Sequence, residues 1–409
     1  MRSLVDWVGA ALTVASAPVV FSSGYLATLA FLARREPEGK TKPAAVRFEI
    51  IVPAHNEELG IGRTIRSLLA IDYPASLRRV IVVADNCTDA TAKCAEEAGA
   101  EVIQRNEASR RGKGYALDYA FKHVEQRGWA DAVVVVDADT SVSPNLLWEF
   151  ARAIERGAHA MQADYGVRNT DESWRTRLLT VAFAIFHGVR SLARQRLGLS
   201  TGLRGNGMAF TREVLARVPH DAYSVVEDLE YGLKLGMAGI RVHYLSHAHV
   251  SGDMASDERS SRSQRRRWES GRRAVRRAYG TRLLMEGIRK LNPVLLDLWL
   301  DLVVPPLSTL VLVGCLGTAA AGFVVVVAGQ PSWIVAPWLL SLGCLSTYVL
   351  RGVAISGTGF KGVVTLLWAP AYVVWKLVLA ARRRGSQRGE WVRTARKGES
   401  SASPMAPPS

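Results

Sequence analysis

Cysteine is sparse in this sequence. The 409 residues include four, at positions 87, 94, 315 and 344, and none has CxxC or zinc-finger spacing. The pattern therefore indicates neither a disulfide framework nor a structural zinc site, and it is compatible with a reducing cytoplasm. The GxxxxGK[ST] spacing of a P-loop is also absent, which argues against that class of nucleotide site.

Acidic residues are outnumbered by basic ones, 37 Asp and Glu against 52 Lys and Arg, for a formal net charge of +15. Such an excess suggests nucleic acid, anionic lipid or phosphorylated substrates as partners. The basic residues gather at the ends of apolar stretches, at Arg34 and Arg35 and at residues 262–277 and 382–384. This placement favours a membrane lipid surface, and we expect no nucleic-acid partner.

Residues 5–31 form a long apolar stretch that ends just before Arg34 and Arg35. About 20 apolar residues are enough to cross a bilayer. A cleaved signal peptide is the alternative, although its positive charge would precede a shorter apolar core. The positive-inside rule puts the chain after Arg34 in the cytoplasm. We therefore expect an anchor in the cell (inner) membrane and a cytoplasmic middle domain.

Three more apolar blocks follow, at residues 295–328, 333–350 and 363–381. Three crossings would put the basic tail outside, whereas arginines 382–384 favour the inside. Either one block lies in the interface, or the first, interrupted at Pro305 and Pro306, crosses twice. The predicted multi-pass organisation is an anchor (1–35), a linker (36–47), a cytoplasmic domain (48–280), transmembrane or interfacial helices (281–384) and a basic, then Ser/Pro-rich tail (385–409).

The middle of the chain alternates between strand and helix patterns. Strands are predicted at residues 48–54, 79–85, 101–103 and 132–137, and helices at 57–70, 88–98, 113–126 and after Pro144. The Val/Ile runs are typical of strands covered on both faces. The alternation predicts an α/β fold with a mostly parallel sheet.

Acidic residues follow three of these strands. Asp137 and Asp139 end one, Asp85 ends another, and Glu57 follows the first. The carboxyl ends of parallel strands form one crevice, where ligands of α/β sheets bind. Carboxylates there can hold Mg²⁺ or Mn²⁺ together with phosphate oxygens. The alternatives are a solvated turn for the Asp pair and capping of the next helix by Asp85 or Thr88.

Two further motifs open predicted helices. Lys113 lies in a glycine-containing turn where a helix N-terminus favours a diphosphate. Glu227 and Asp228 begin a helical pattern that runs to Ala238. An acid there can take a proton from an attacking hydroxyl, or it can simply favour the helix dipole. The residues alone leave these two interpretations equal.

Gln264, Arg267 and Trp268 lie in a strongly basic helical stretch. An arginine can clamp a diphosphate with two hydrogen bonds, and a tryptophan offers a broad apolar face to a sugar ring. The alternative is an amphipathic helix on anionic lipid.

Taken in chain order, these motifs resemble the processive, membrane-integrated branch of the family 2 glycosyltransferases, which includes cellulose, chitin, hyaluronan and poly-N-acetylglucosamine synthases. The matching elements are Val52-Pro-Ala-His-Asn-Glu-Glu58, Asp85, Lys113, Asp137-x-Asp139, Glu227-Asp228 and Gln264-x-x-Arg267-Trp268. The resemblance implies a GT-A fold and a nucleotide-diphosphate sugar donor, most often a UDP-sugar. Val226 departs from the pattern, which often has Thr before the Glu-Asp pair.

The resemblance also implies roles at the donor side. Asp85, with Glu57, reads the uridine. Lys113 and Arg267 contact the diphosphate. Asp139 holds Mg²⁺ or Mn²⁺, with Asp137 at the metal and the nucleotide.

On the acceptor side, the resemblance implies that Asp228, beside Glu227, is the general base. Gly205 and Asn206 form part of the acceptor pocket, and Trp268 with Gln264 forms the acceptor platform. Direct attack on an α-linked donor inverts the anomeric carbon and gives a β-linked product. Residues 391–396 resemble the gating loop of cellulose synthases, with an ordinary basic tail as the alternative.

The predicted function is elongation of a polysaccharide, which a partner protein could export. One alternative is a single sugar addition to a lipid or polyprenyl-phosphate acceptor. An alternative of another class is a catalytically inactive membrane scaffold, but the complete set of acids argues against it. A transporter is disfavoured by the few spans and the large middle domain.

Overall fold

A computed structural model of the protein describes residues 2–37, 39, 43–254 and 258–368, and the side chains of residues 2–6 and 258–266 lie outside this description. The strands are β1 (Phe48–Ala54), β2 (Arg78–Asp85), β3 (Glu101–Arg105), β4 (Ala132–Val135), β5 (Thr140–Val142), β6 (Ala160–Val167), β7 (Met208–Thr211) and β8 (Val242–Gly252). The helices are α1 (Arg2–Leu32), α2 (Ile61–Leu69), α3 (Thr91–Glu97), α4 (Lys113–Arg127), α5 (Leu146–Glu155), α6 (Trp174–Phe183), α7 (Arg190–Arg196), α8 (Arg212–Arg217), α9 (Glu227–Met237), α10 (Glu258–Arg289), α11 (Pro293–Val303), α12 (Leu307–Ala328), α13 (Ala336–Ile355) and α14 (Gly359–Thr365).

The eight strands form one sheet in the order β3-β2-β1-β4-β7-β6-β8-β5. Strands β1 to β4 pair in parallel, as predicted. Strand β7 is antiparallel to both β4 and β6, so the second half of the sheet is mixed. The reason is that β7 follows a long excursion through α6 and α7, and not the single crossover helix that makes neighbouring strands parallel. The α/β class is confirmed.

Helices cover both faces of the sheet. Ile50 and Val52 of β1 pack with α2 and α5 on one face, and Ile51 packs with α4 and α9 on the other. Each fully buried side chain of this size stabilises the fold by about 1.5–3 kcal/mol. Helices α2 and α3 begin later than predicted because Asn56 and Asn86 have positive φ values of 56° and 51°. That left-handed conformation turns the chain before either helix can start.

Within the part of the chain that the structure describes, three helices are long and apolar enough to cross a membrane: Trp7–Leu32, Leu307–Ala328 and Ser332–Ile355. Helix α1 packs against both α12 and α13. The predicted apolar block at 295–328 is interrupted at Pro305 and Pro306, as expected, and α11 before the break has 11 residues. A helix of that length spans about 16 Å, so the predicted alternative of two crossings within this block is wrong. Residues 369–409, with arginines 382–384 and the predicted gating segment, lie outside the described residues.

Candidate active site

The carboxyl ends of β1, β2 and β4 lie side by side and bring the predicted acids to one edge of the sheet. Asp85 is the last residue of β2, is buried, and forms an ion pair with Arg105 over 2.6 Å. The Asn86 amide also donates a hydrogen bond to Asp85 over 2.9 Å. The capping alternative for Asp85 and Thr88 is wrong, because α3 begins after Ala90 without a side-chain cap.

Glu57 lies beside Asp85 because the turns after β1 and β2 are tied together. The backbone N–H of Glu57 donates to Thr91 Oγ1 over 2.6 Å. His55 Nδ1 lies 2.7 Å from the carbonyl oxygen of Asp85. These bonds hold the predicted uridine-reading pair at neighbouring strand ends.

Lys113, the first residue of α4, is the cationic centre of the site. Its Nζ lies 2.5 Å from Asp137 Oδ1, 2.6 Å from the carbonyl oxygen of Gly205 and 3.9 Å from Glu227 Oε1. Burial opposes its charge, but the surrounding carboxylates hold the pKa of Lys113 above its usual range. Lys113 thereby joins the end of β4 to the loop before β7 and to the start of α9.

That loop contains Gly205 and Asn206, the two predicted acceptor-pocket residues. A Cβ on Gly205 would lie 3.3 Å from Asp228 Oδ2, so this glycine faces the predicted base. Asn206 is 0% exposed. Its Oδ1 accepts a hydrogen bond from the Asp137 N–H over 3.2 Å, and its Nδ2 donates to Thr140 Oγ1 over 2.8 Å. The Asn206 side chain therefore holds the Asp137–Thr140 turn, and of the two residues only Gly205 faces Asp228.

Glu227 and Asp228 open α9, which begins and ends within a residue of the prediction. Glu227 is buried and Asp228 is half-buried. Burial raises the pKa of both carboxyl groups, while Lys113 opposes the shift. Arg204 also lowers the pKa of Asp228, so its charge lies close to the predicted base. An acid with a raised pKa that faces the predicted acceptor loop is suited to accept a proton.

Helix α10 brings Arg267 and Trp268 to the same place. Gly271 allows this approach, because a Cβ there would lie 2.8 Å from Val226, immediately before α9. Burial lowers the pKa of Arg267 and the charge of Glu227 raises it, so the guanidinium group lies near Glu227. Trp268 is 42% exposed, with its ring 6.4 Å from that of Phe183. The predicted partner Gln264 lies on the same helix, and its side chain is outside the description.

Tyr165 is close enough to the carboxylates of Asp137, Asp139 and Asp228 to feel their charge. Burial and these three charges raise the pKa of the Tyr165 phenol well above its usual range. Among the described residues, no three His, Cys, Asp or Glu side chains form a cluster that could hold a metal alone. A cation such as Mg²⁺ is usually bound by one or two carboxylates with substrate phosphates. The Asp137 and Asp139 pair fits that kind of site.

Sequence reasoning did not predict a group of charged residues behind the site. Arg190 and Arg194 of α7 form buried ion pairs with Asp297 and Asp301 of α11. Each pair of like charges is four residues apart, on one helix face, and the aspartates interrupt an apolar block. That spacing was the available signal.

The sheet order, the acidic strand ends and the acid pair on α9 define a GT-A-like domain. Residues 43–271 match the family described as "Glycosyltransferase like family 2", so the chain belongs to this family. Its fold is similar to that of the mannosyltransferase PcManGT from Pyrobaculum calidifontis, solved with GDP-Man and Mn²⁺, with a TM-score of 0.54 and 19% identity over 86% of this chain and 98% of that one.

Two curated relatives are also similar. Hyaluronan synthase of Streptococcus pyogenes is 28% identical over 249 residues, 56% of this chain and 58% of that protein. Beta-monoglucosyldiacylglycerol synthase of Synechocystis sp. is 26% identical over 233 residues, 54% of this chain and 47% of that protein. The chain thus spans about half the length of the curated relatives it matches.

Proposed function

We propose that this protein is an inverting glycosyltransferase that moves a sugar from a nucleotide-diphosphate sugar to a growing polysaccharide and forms a β-linkage. A UDP-sugar is the first candidate for the donor. The observation that carries the proposal is the contact of Lys113 with both Asp137 and the Gly205 carbonyl, beside Asp228. This contact supports a phosphate-binding role for Lys113 and a proton-accepting role for Asp228, because both groups lie beside Gly205.

In the proposed reaction, an acceptor hydroxyl attacks the anomeric carbon and loses its proton to Asp228. The bond to the leaving phosphate oxygen breaks, and its electron pair stays with the nucleoside diphosphate. Lys113 and Arg267 stabilise the charge on the leaving diphosphate. Asp85 and Glu57 hold the nucleobase of the donor. Glu227 supports Asp228, and Trp268 with Gln264 stacks and orients the acceptor.

Asp137 and Asp139 would hold Mg²⁺ or Mn²⁺, which neutralises diphosphate charge when bound. The structure of similar fold that was solved with Mn²⁺ and GDP-Man supports the use of a divalent cation and a nucleotide sugar. Because its nucleotide sugar is GDP-Man, GDP-sugars should also be tested as donors. The similarity to a hyaluronan synthase supports polymer elongation.

We further propose a multi-pass protein of the cell (inner) membrane with a cytoplasmic catalytic domain. The three apolar helices support this, and a polymer made there would need a route or an export partner to leave. A single addition to a lipid acceptor is the second candidate. It is favoured by the packing of α7, next to the acceptor loop, against α1 of the membrane helices, and by the similarity to a glycolipid synthase.

The test is nucleotide release from a panel of nucleotide sugars by protein in nanodiscs, with Mg²⁺ or Mn²⁺. Asp228→Asn should lower release by about 10²- to 10⁴-fold because the proton acceptor is lost. Asp221→Asn, an exposed acid near the same helix that pairs with Lys234, is the control. A ladder of products on a sizing gel identifies a polymerase, and a single product identifies a single-addition enzyme. Equal release by wild type and Asp228→Asn would contradict the proposal.

A further inference from the structure

The region between the acid pair on α9 and the membrane helices contains an excess of positive charge. Four arginines and two aspartates meet there: Arg190, Arg194, Arg204, Arg272, Asp297 and Asp301. We call this group the arginine cluster.

Two of the four arginines are matched by the two aspartates. Arg190 Nη1 lies 2.9 Å from Asp301 Oδ1, and its Nε donates to the Tyr348 hydroxyl over 2.7 Å. Arg194 Nε lies 2.8 Å from Asp297 Oδ2, and its Nη2 lies 2.9 Å from Asp301 Oδ1. These two cations and two anions balance, and they join α7 to α11 as a buried structural network.

Arg204 and Arg272 are the two charges left over. Arg204 donates from Nη2 to the carbonyl oxygen of Thr201 over 3.1 Å, but its Nε is buried without a hydrogen-bond partner. Within the described ranges, no carboxylate forms an ion pair with Arg204, although the charges of Asp301 and Asp228 are near enough to raise its pKa. Arg272 lies 3.6 Å from Oδ2 of Asp301, whose Oδ1 pairs with Arg190 and Arg194, so three arginines share this one aspartate.

Phe186 holds these two guanidinium groups in place. The central carbons of Arg204 and Arg272 lie 4.7 and 5.8 Å from the centroid of its ring. Arg190 lies 4.7 Å from the same centroid, so three like charges surround one phenyl group. Burial lowers the pKa of Arg204 to about 10. Asp301 and Asp228 oppose this shift while Arg194 and Arg190 add to it, and the side chain is still cationic at neutral pH. Two rigid, underpaired guanidinium groups are an anion-binding arrangement.

The arginine cluster lies next to the proposed base. Arg204 directly precedes Gly205, where a Cβ would lie 3.3 Å from Asp228 Oδ2 and 3.5 Å from Lys113 Nζ. The cluster also meets the membrane helices, because Arg194 donates to the hydroxyl of Tyr25 over 2.8 Å, and Tyr25 lies in α1. An anion bound there would lie between the proposed base and α1.

We propose that Arg204 and Arg272 bind a phosphoryl group carried by the acceptor, next to the separate hydroxyl that Asp228 deprotonates. This inference rests on the proposed function. Two excess positive charges match a phosphate monoester, which carries about −1.5 to −2 at neutral pH, better than they match a single carboxylate. The phosphoryl group itself undergoes no bond change. It can belong to a lipid headgroup or to a soluble phosphorylated saccharide.

The test titrates the full chain in neutral detergent with three probes in a calorimeter: short-chain phosphatidic acid, glucose 6-phosphate and glucuronate. We expect a phosphate probe to bind, and Arg204→Gln and Arg272→Gln each to weaken it on the order of tenfold. Arg204→Lys should recover part of the loss because it keeps the charge without the planar fork. Arg277→Gln, which removes an exposed arginine from the same helix, is the matched control and should bind like wild type.

The outcomes separate the sources and the alternatives. Binding of phosphatidic acid alone identifies a lipid phosphate, and binding of glucose 6-phosphate identifies a soluble one. The inference is overturned if neither binds, if glucuronate binds equally well, or if Arg277→Gln weakens binding as much as Arg204→Gln.

UDP affinity with Mg²⁺, measured on the same variants, should be unchanged. A tenfold loss of UDP affinity would assign the arginines to the donor and also overturn the inference. Nucleotide release that survives Asp228→Asn would count against the proposed function and not against this site.

Discussion

The ammonium group of Lys113 donates a hydrogen bond to the carbonyl oxygen of Gly205 over 2.6 Å while it pairs with Asp137. One side chain thus connects the strand end that is proposed to hold the metal with the loop that faces the proposed base. The proposed donor binding and the position of this loop therefore depend on the same cation.

We therefore expect Lys113→Gln to lower kcat/KM for the donor by roughly 10- to 100-fold, since hydrogen bonds to charged groups contribute about 1.5–3 kcal/mol. Initial rates of nucleotide release measure the effect. Lys122→Gln, on the exposed side of α4 and paired with Asp118, is the control and should keep the wild-type value. Equal kinetics for the two variants would contradict a role of Lys113 in donor binding.

A side chain at Gly205 should impair catalysis more than folding. Gly205→Ala places a methyl group 3.3 Å from Asp228 Oδ2 at a residue with φ of +80°. Gly198→Ala has similar backbone strain, with φ of +72°, but its Cβ would meet only Arg241 at 4.0 Å. Both variants should lose about 1–2 kcal/mol of stability, because only glycine adopts this conformation readily. Only Gly205→Ala should lose activity, by roughly tenfold or more. Parallel melting curves and rates check this, and equal activity in both variants would contradict it.

The rate should depend on pH through Asp228. Burial raises the pKa of this carboxyl above its usual range, and a general base works only when ionised. As pH falls, Asp228 becomes protonated earlier than an ordinary aspartate would, so kcat should fall at a correspondingly higher pH. A pH–rate profile with saturating donor measures this limb. Asp228→Asn should lack it, and a profile of unchanged shape in that variant would assign the titration to another group.

Asp301→Asn should destabilise the protein by about 3–5 kcal/mol, because Arg190 and Arg194 would keep buried charges without their shared partner. Denaturation in detergent measures the change. Asp131→Asn, in an exposed pair with Arg47, should cost under about 1 kcal/mol. A small effect of Asp301→Asn would contradict the proposed structural network.

Asp301 also predicts the direction of a pH effect on stability. Burial opposes its charge, but Arg194, Arg272 and Arg190 together hold the pKa of Asp301 well below its usual range. The stabilisation is therefore complete above the unfolded pKa of about 4 and is lost as pH falls towards the folded value. Stability of wild type should decline on acidification below about pH 4 more steeply than that of Asp301→Asn.

The sequence by itself determined the features that depend on local order along the chain. The acids at 57, 85, 137 and 139 could be placed together because parallel strands end at one edge of a sheet. The start of α9 at Glu227 and the interruption at Pro305 and Pro306 were also predictable, since helix-opening acids and prolines act on their own turn of backbone.

Only the tertiary structure decided the relationships between residues far apart in sequence. It made β7 antiparallel, buried the Asn206 amide under the Asp137 turn, and gathered Arg204, Arg272 and Phe186 from three separate segments. These outcomes depend on how whole elements pack. The residue pattern within one segment does not indicate which side chains of another segment it will contact. The charge balance of the arginine cluster exists only once α7, α10 and α11 have packed together.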